Sequence, residues 1–125
     1  MREALVELLD LEVGWARSIA DIRERRTFVR HPYELDLVQI DEKLWLDHLR
    51  ESLRADQYHP SPMLFVDVPK GRGGVRPGSH LTLADRVVYA SLVAAALPFI
   101  DRHLAWAQGT VDYSYQLRRI RRGAV

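Results

Sequence analysis

Cysteine is missing from this chain, which excludes disulfides and thiolate metal sites. Lysine is nearly missing: of 18 Lys and Arg, only Lys43 and Lys70 are lysines. No uncharged apolar run reaches the roughly 18–20 residues that a bilayer span needs. The best candidate, residues 92–100, is short and contains Pro98. Glu3, Glu7, Asp10 and Glu12 near the N-terminus do not suit a secretory signal. The expectation is a cytoplasmic location and no membrane partner. There is no internal repeat and no low-complexity segment.

Chemical signatures are equally scarce. His31, His48, His59, His80 and His103 form no His-x-x-x-His or His-Glu-x-x-His pattern, so no metal site is expected. There is no Gly-x-Ser-x-Gly elbow. Ser79 and His80 are adjacent, which is poor geometry for a nucleophile and its base. Asp67 lies near a glycine-rich turn without an obvious partner. Hydrolytic catalysis has no support, and no catalytic residue is assigned.

What is present is one domain's worth of sequence, 125 residues with 47% hydrophobic and 28% charged content. The net charge of +1 conceals an asymmetry. Residues 1–62 carry 9 Lys and Arg against 13 Asp and Glu; residues 63–125 carry 9 against 4. A basic half built on arginine suits a polyanion, because the guanidinium is a planar fork matched to phosphate.

Apolar spacing predicts one helix over residues 2–26, carried by Leu5, Leu8, Leu9, Trp15, Ile19 and Ile22. Gly14 should weaken its middle by about 1 kcal/mol relative to Ala. Residues 27–40 have no helical period; Pro32 breaks the pattern, and Leu35, Leu37 and Ile40 point to an extended piece. Asp41 is the expected N-cap of a helix that shows Trp45, Leu46, Leu49 and Leu53 on one face and ends near Ala55. Trp15 and Trp45 are expected in the core.

Tyr58-His59-Pro60-Ser61-Pro62 reads as a rigid connector. Residues 63–68 read as a short strand ended by Pro69. Gly71-Arg72-Gly73-Gly74 supplies a turn with residues that tolerate positive φ. Val75 and Arg76 begin the return. Thr82 and Asp85 have capping-box spacing at the head of a helix that Pro98 should kink or end. The fold expected is α+β but predominantly α: about four helices and one small antiparallel β-hairpin. Residues 1–57 form the N-terminal helical region and residues 58–125 the hairpin, helix and basic tail.

The glycine cluster fails the P-loop pattern and the dinucleotide fingerprint. Its context is more informative, since Lys70, Arg72 and Arg76 surround it. A hairpin with cations at its base can place several donors around a triphosphate.

Five elements in order, Tyr58-x-Pro60-x-Pro62, Pro69-Lys70, Gly73-Gly74, Arg76-Pro77 and Asp85-Arg86-Val87-Val88, resemble the fingers region of bacterial reverse transcriptases. Those of group II introns, retrons and phage defence share this order. Pro98-Phe99-Ile100-Asp101 and Tyr113-Ser114-Tyr115-Gln116-Leu117-Arg118 extend the resemblance over residues 50–118. It departs from the family at Gly78-Ser79-His80 and at Gln116 and Leu117.

The resemblance implies that Lys70, Arg72 and Arg76 grip nucleotide phosphates. It implies that Tyr115 and Arg118 lie near template or nucleotide, and that Arg86 pairs with an acidic group in a structural role. The implied partners are nucleic acid, a deoxynucleoside triphosphate and a palm domain, with Mg2+ as the cofactor of the longer enzyme. The family's palm carboxylates have no counterpart here; no carboxylate side chain follows Asp112. The expectation is therefore a fingers region without catalysis of its own, prone to self-association. The alternative is a small helical interaction or nucleic-acid-binding module with no enzymatic parent.

Overall fold

The computed structural model describes residues 2–24 and 33–104. Within them run five helices and two strands: α1 (Arg2–Glu7), α2 (Leu11–Glu24), α3 (Tyr33–Val38), α4 (Glu42–Arg54), β1 (Leu64–Pro69), β2 (Val75–His80) and α5 (Leu83–Leu104). The architecture is mainly helical with one two-stranded antiparallel sheet.

The single helix expected over residues 2–26 is two helices. The amides of Leu8 and Leu9 fold back to the carbonyls of Leu5 and Val6, a tight i to i−3 ending for α1. Asp10 then starts α2: its carboxylate accepts from the Val13 amide at 2.9 Å and its carbonyl from the Gly14 amide at 3.0 Å. A side chain that caps an amide three residues on is a helix start, and Asp10 does this inside an unbroken apolar pattern.

The extended piece expected around Leu35 and Leu37 is a helix, α3. Leu35 and Val38, three apart, are buried, whereas Leu37 is exposed. Two buried positions in six residues are too few to display a period, so packing decides what propensity leaves open.

Asp41 caps α4 as expected, accepting from the Leu44 amide at 3.1 Å. At the other end Asp56 adopts φ +56°. The Gln57 amide reaches the Ser52 carbonyl at 2.9 Å and the Asp56 amide the Leu53 carbonyl at 3.3 Å. This is a Schellman ending with aspartate where glycine is usual. It turns the chain out of α4 and presents Tyr58 to α5.

One core joins the helices. It contains Leu11, Trp15 and Ile19 of α2, Leu35 and Val38 of α3, Leu46 and Leu49 of α4, and Leu83, Val87 and Val88 of α5. Trp45 packs beside it, its ring centroid 5.7 Å from that of Trp15, and the Trp15 indole N–H donates to Glu42.

Helices α2 and α5 pack extensively and approach closely, and Gly14 makes it possible. A Cβ there would lie 2.0 Å from Ser91 Oγ and 2.5 Å from the Val87 carbonyl oxygen. Both serines at the crossing are buried and bond to their own helices, Ser18 Oγ to the Gly14 carbonyl and Ser91 Oγ to the Val87 carbonyl, each at 2.8 Å. Neither hydroxyl needs a partner across the interface, so the backbones can meet. Gly14 is therefore a packing requirement rather than a weak point.

Pro98 does not end α5; the helix continues to Leu104. Alanines and leucines precede it and apolar residues follow, and the loss of one backbone donor does not outweigh the turns on either side. By length and composition α5 could cross a membrane, which the sequence pattern did not lead one to expect. Its uncharged part, residues 87–100, spans about 21 Å at 1.5 Å per residue, short of a hydrocarbon core of roughly 30 Å.

Candidate functional site

The hairpin stands apart from the helical core: its strands pair extensively and barely touch the helices. Pairing runs from Leu64 opposite His80 to Pro69 opposite Val75. The Lys70 amide donates to the Gly74 carbonyl at 3.0 Å and the Gly73 amide to the Lys70 carbonyl at 3.2 Å. Gly73 and Gly74 have φ of +85° and +83°. This is a three-residue loop, Gly71-Arg72-Gly73, closed by a turn and a glycine bulge. The glycines are needed because side chains are strained at these angles.

Register decides which charges meet. Directly opposed residues share a face of the sheet and successive residues alternate. Val68 stands opposite Arg76, and Lys70 is two residues on from Val68, so Lys70 and Arg76 share a face with Val66 and His80. Asp67 stands opposite Pro77 on the other face, with exposed Phe65 and Val75. The one carboxylate in the hairpin therefore does not neutralise the Lys70 and Arg76 face. Arg72 occupies the loop tip. All three cations are exposed, and none has a side-chain hydrogen bond or ion pair among the described residues. Tyr115 and Arg118, the expected template contacts, lie outside the described residues.

The root of the hairpin is fixed by Asp85, which is 8% exposed. Its carboxylate accepts from the Tyr58 hydroxyl, from the Ser61 amide at 3.0 Å and from the Thr82 hydroxyl at 2.7 Å. Thr82 Oγ1 in turn accepts from the Asp85 amide at 3.2 Å. Half of the expected capping box is thus present. The other half is replaced, because the aspartate reaches back to the connector rather than to the Thr82 amide.

Burial alone would push the Asp85 carboxyl up, but the bonds from Tyr58, Thr82 and Ser61 outweigh it and hold its pKa below the usual carboxylate value. Burial, and then the bond to Asp85, push the Tyr58 hydroxyl well above its usual value. The signal for this cluster was in the sequence, since Tyr58 and Asp85 both belong to the motifs that carry the resemblance. Spacing alone gave no reason to join them.

Arg86 next to Asp85 pairs with Asp21 of α2 at 3.0 Å. It thus has the acidic partner expected of a structural arginine, and it ties the start of α5 to α2. Among the described residues no group of three or more His, Asp or Glu could hold a metal ion. The chemistry open to this site is anion binding by guanidinium and ammonium groups on an exposed hairpin.

No family model, no curated protein and no solved structure matches this chain.

Proposed function

We propose that this chain is a fingers-like region of an RNA-directed DNA polymerase, whose hairpin holds nucleotide or template phosphates. The observation that carries the reading is the segregation of charge across the hairpin. Lys70 and Arg76 share one face and Asp67 occupies the other. The Asp85 cluster supports it, because it fastens the Tyr58 connector to the helix that begins with Asp85 and Arg86. A phosphate bound between Lys70 and Arg76 would receive charge-assisted bonds from two cations that have no competing carboxylate on their face.

Fluorescence anisotropy with a labelled single-stranded oligonucleotide at low salt tests the reading. Wild type is expected to bind, and the Lys70→Ala, Arg76→Ala double variant to bind about tenfold or more weakly, at constant helix content. Lys43→Ala, an exposed cation on α4, is the control and should bind as wild type does. Equal binding by wild type and the double variant would remove the hairpin from the function.

The second reading, a helical interaction module, draws on the exposed apolar side chains of α5, Tyr89 and Phe99 among them. It predicts that Tyr89→Ser and Phe99→Ser leave oligonucleotide binding unchanged but abolish capture of a protein partner.

A further inference from the structure

We propose that β1 is a pairing edge and that its occupant is β1 of a second copy of this chain. A two-stranded hairpin that packs weakly on its own core is marginally stable in water; a third strand or a covering layer is what normally secures it. Phe65 is 71% exposed and Leu64 62%, so this strand carries exposed apolar surface that no other described element covers.

The backbone directions follow from the turn. The Lys70 amide points to β2, so by alternation those of Val68, Val66 and Leu64 do as well. Phe65 and Asp67 therefore direct both their N–H and C=O groups to the open side of β1. The open side of β2 is presented by Val75, Pro77 and Ser79. Pro77 lacks a donor at the middle of that edge, which disfavours a partner there. On β1 the proline is Pro69, at the strand's end. The edge carries no lysine or arginine between Leu64 and Pro69 to repel a neighbouring strand.

Self-complementarity selects the register. With Val66 opposite Val66 of the second copy, Phe65 faces Asp67 of the second copy, and Asp67 faces its Phe65. Both open donors and both acceptors of each copy are then satisfied by four hydrogen bonds. Leu64 meets Val68 of the second copy on the same face as the valine pair. A register centred on Asp67 would instead set two carboxylates directly opposite, which is destabilising. The product is a four-stranded antiparallel sheet in the order β2, β1, β1, β2. Directly opposed residues share a face, so Lys70 and Arg76 of both copies lie on one side of it.

Val66 sits in a non-hydrogen-bonded pair in this register, where Cα atoms are about 4.5 Å apart. That is within the range of about 4.4–6.8 Å that a disulfide spans. The chain has no cysteine of its own, so single-cysteine variants report cleanly. The experiment compares Val66→Cys, Phe65→Cys and Asp67→Cys under mild oxidation, read by non-reducing electrophoresis. Val66→Cys should cross-link into dimer, and the other two should not. Sedimentation velocity over a concentration series supplies the second reading. Asp67→Pro removes an open-edge donor without touching the β1–β2 ladder, and should weaken dimerisation about tenfold at unchanged helix content. Equal cross-linking by all three variants, a monomer at every concentration, or a dimer indifferent to Asp67→Pro would overturn the proposal.

Discussion

The Tyr58 hydroxyl donates a hydrogen bond to the Asp85 carboxylate, closing a loop that contains the whole β-hairpin. Tyr58→Phe leaves the ring in place and removes only this donor. The carboxylate keeps Ser61 and Thr82 as partners, so the loss should be about 1.5–3 kcal/mol, the range for a hydrogen bond to a charged group. Urea denaturation followed by circular dichroism measures it. A change below a few tenths would mean that the link carries no stability.

The same pair predicts the pH profile. Asp85 titrates below its ordinary value of 3.8 in the folded protein, so its contribution is complete above that value and is lost as pH falls through the lowered one. Tyr58 titrates above its ordinary 10.0, so its contribution is complete below 10.0 and is lost as pH rises through the raised value. The stability difference between wild type and Asp85→Asn should be flat across neutral pH and shrink below about pH 4. An unchanged difference down to pH 2.5 would contradict the assignment.

Gly14→Ala tests the α2–α5 crossing. Helix propensity alone favours alanine by about 1 kcal/mol. The added Cβ meets the Val87 carbonyl at 2.5 Å, and backbone cannot swing aside as a side chain can. The net result should be a loss of about 2 kcal/mol or more, read as a lowered midpoint of unfolding. Gly14→Ala combined with Ser91→Gly should recover only part of it, because the carbonyl contact persists. A stabilised Gly14→Ala protein would show that the helices are not in such close contact.

Gly73→Ala acts on the hairpin alone. Its φ of +85° should cost an alanine about 1–2 kcal/mol, and nothing around the glycine would clash with the new methyl. Because the hairpin barely touches the helices, far-UV helix signal should be retained while oligonucleotide affinity falls. Loss of helix signal would show that hairpin and core are more tightly coupled than their contacts indicate.

The salt dependence of oligonucleotide binding provides a count. For single-stranded nucleic acid each phosphate contact contributes about −0.7 to the slope of log affinity against log salt. Lys70→Ala and Arg76→Ala should each flatten the slope by about that amount, whereas Arg86→Ala should not, since Arg86 is occupied by Asp21. A slope that responds to Arg86 and not to Arg76 would move the site from the hairpin to the start of α5.

Legibility in the sequence followed the strength of local signals. The glycine turn, the Asp41 cap and the Thr82 helix start were legible because each depends on residues within four positions of one another, and the turn marked the hairpin it joins. The break between α1 and α2 was not, because Asp10 interrupts a period that leucines continue on both sides. Helix α3 was hidden by its length and by Pro32, which reads in sequence as a breaker. The meaning of Gly14 depended on Val87 and Ser91, more than seventy residues away, and no local rule reaches that far. For the site, Lys70, Arg72 and Arg76 were legible as a cluster, but their separation from Asp67 required the register, and the Asp85 anchor required the fold.

The position of Asp85 has a mechanical consequence. A six-residue strand is about 20 Å long, so the hairpin is a lever with its fulcrum at the Asp85 cluster and its cations near the far end. Angular play of about 10° at the fulcrum would sweep the tip through about 3.5 Å, more than the length of a hydrogen bond. The three bonds onto one carboxylate therefore do more than add stability. They set how finely Lys70, Arg72 and Arg76 can be aimed.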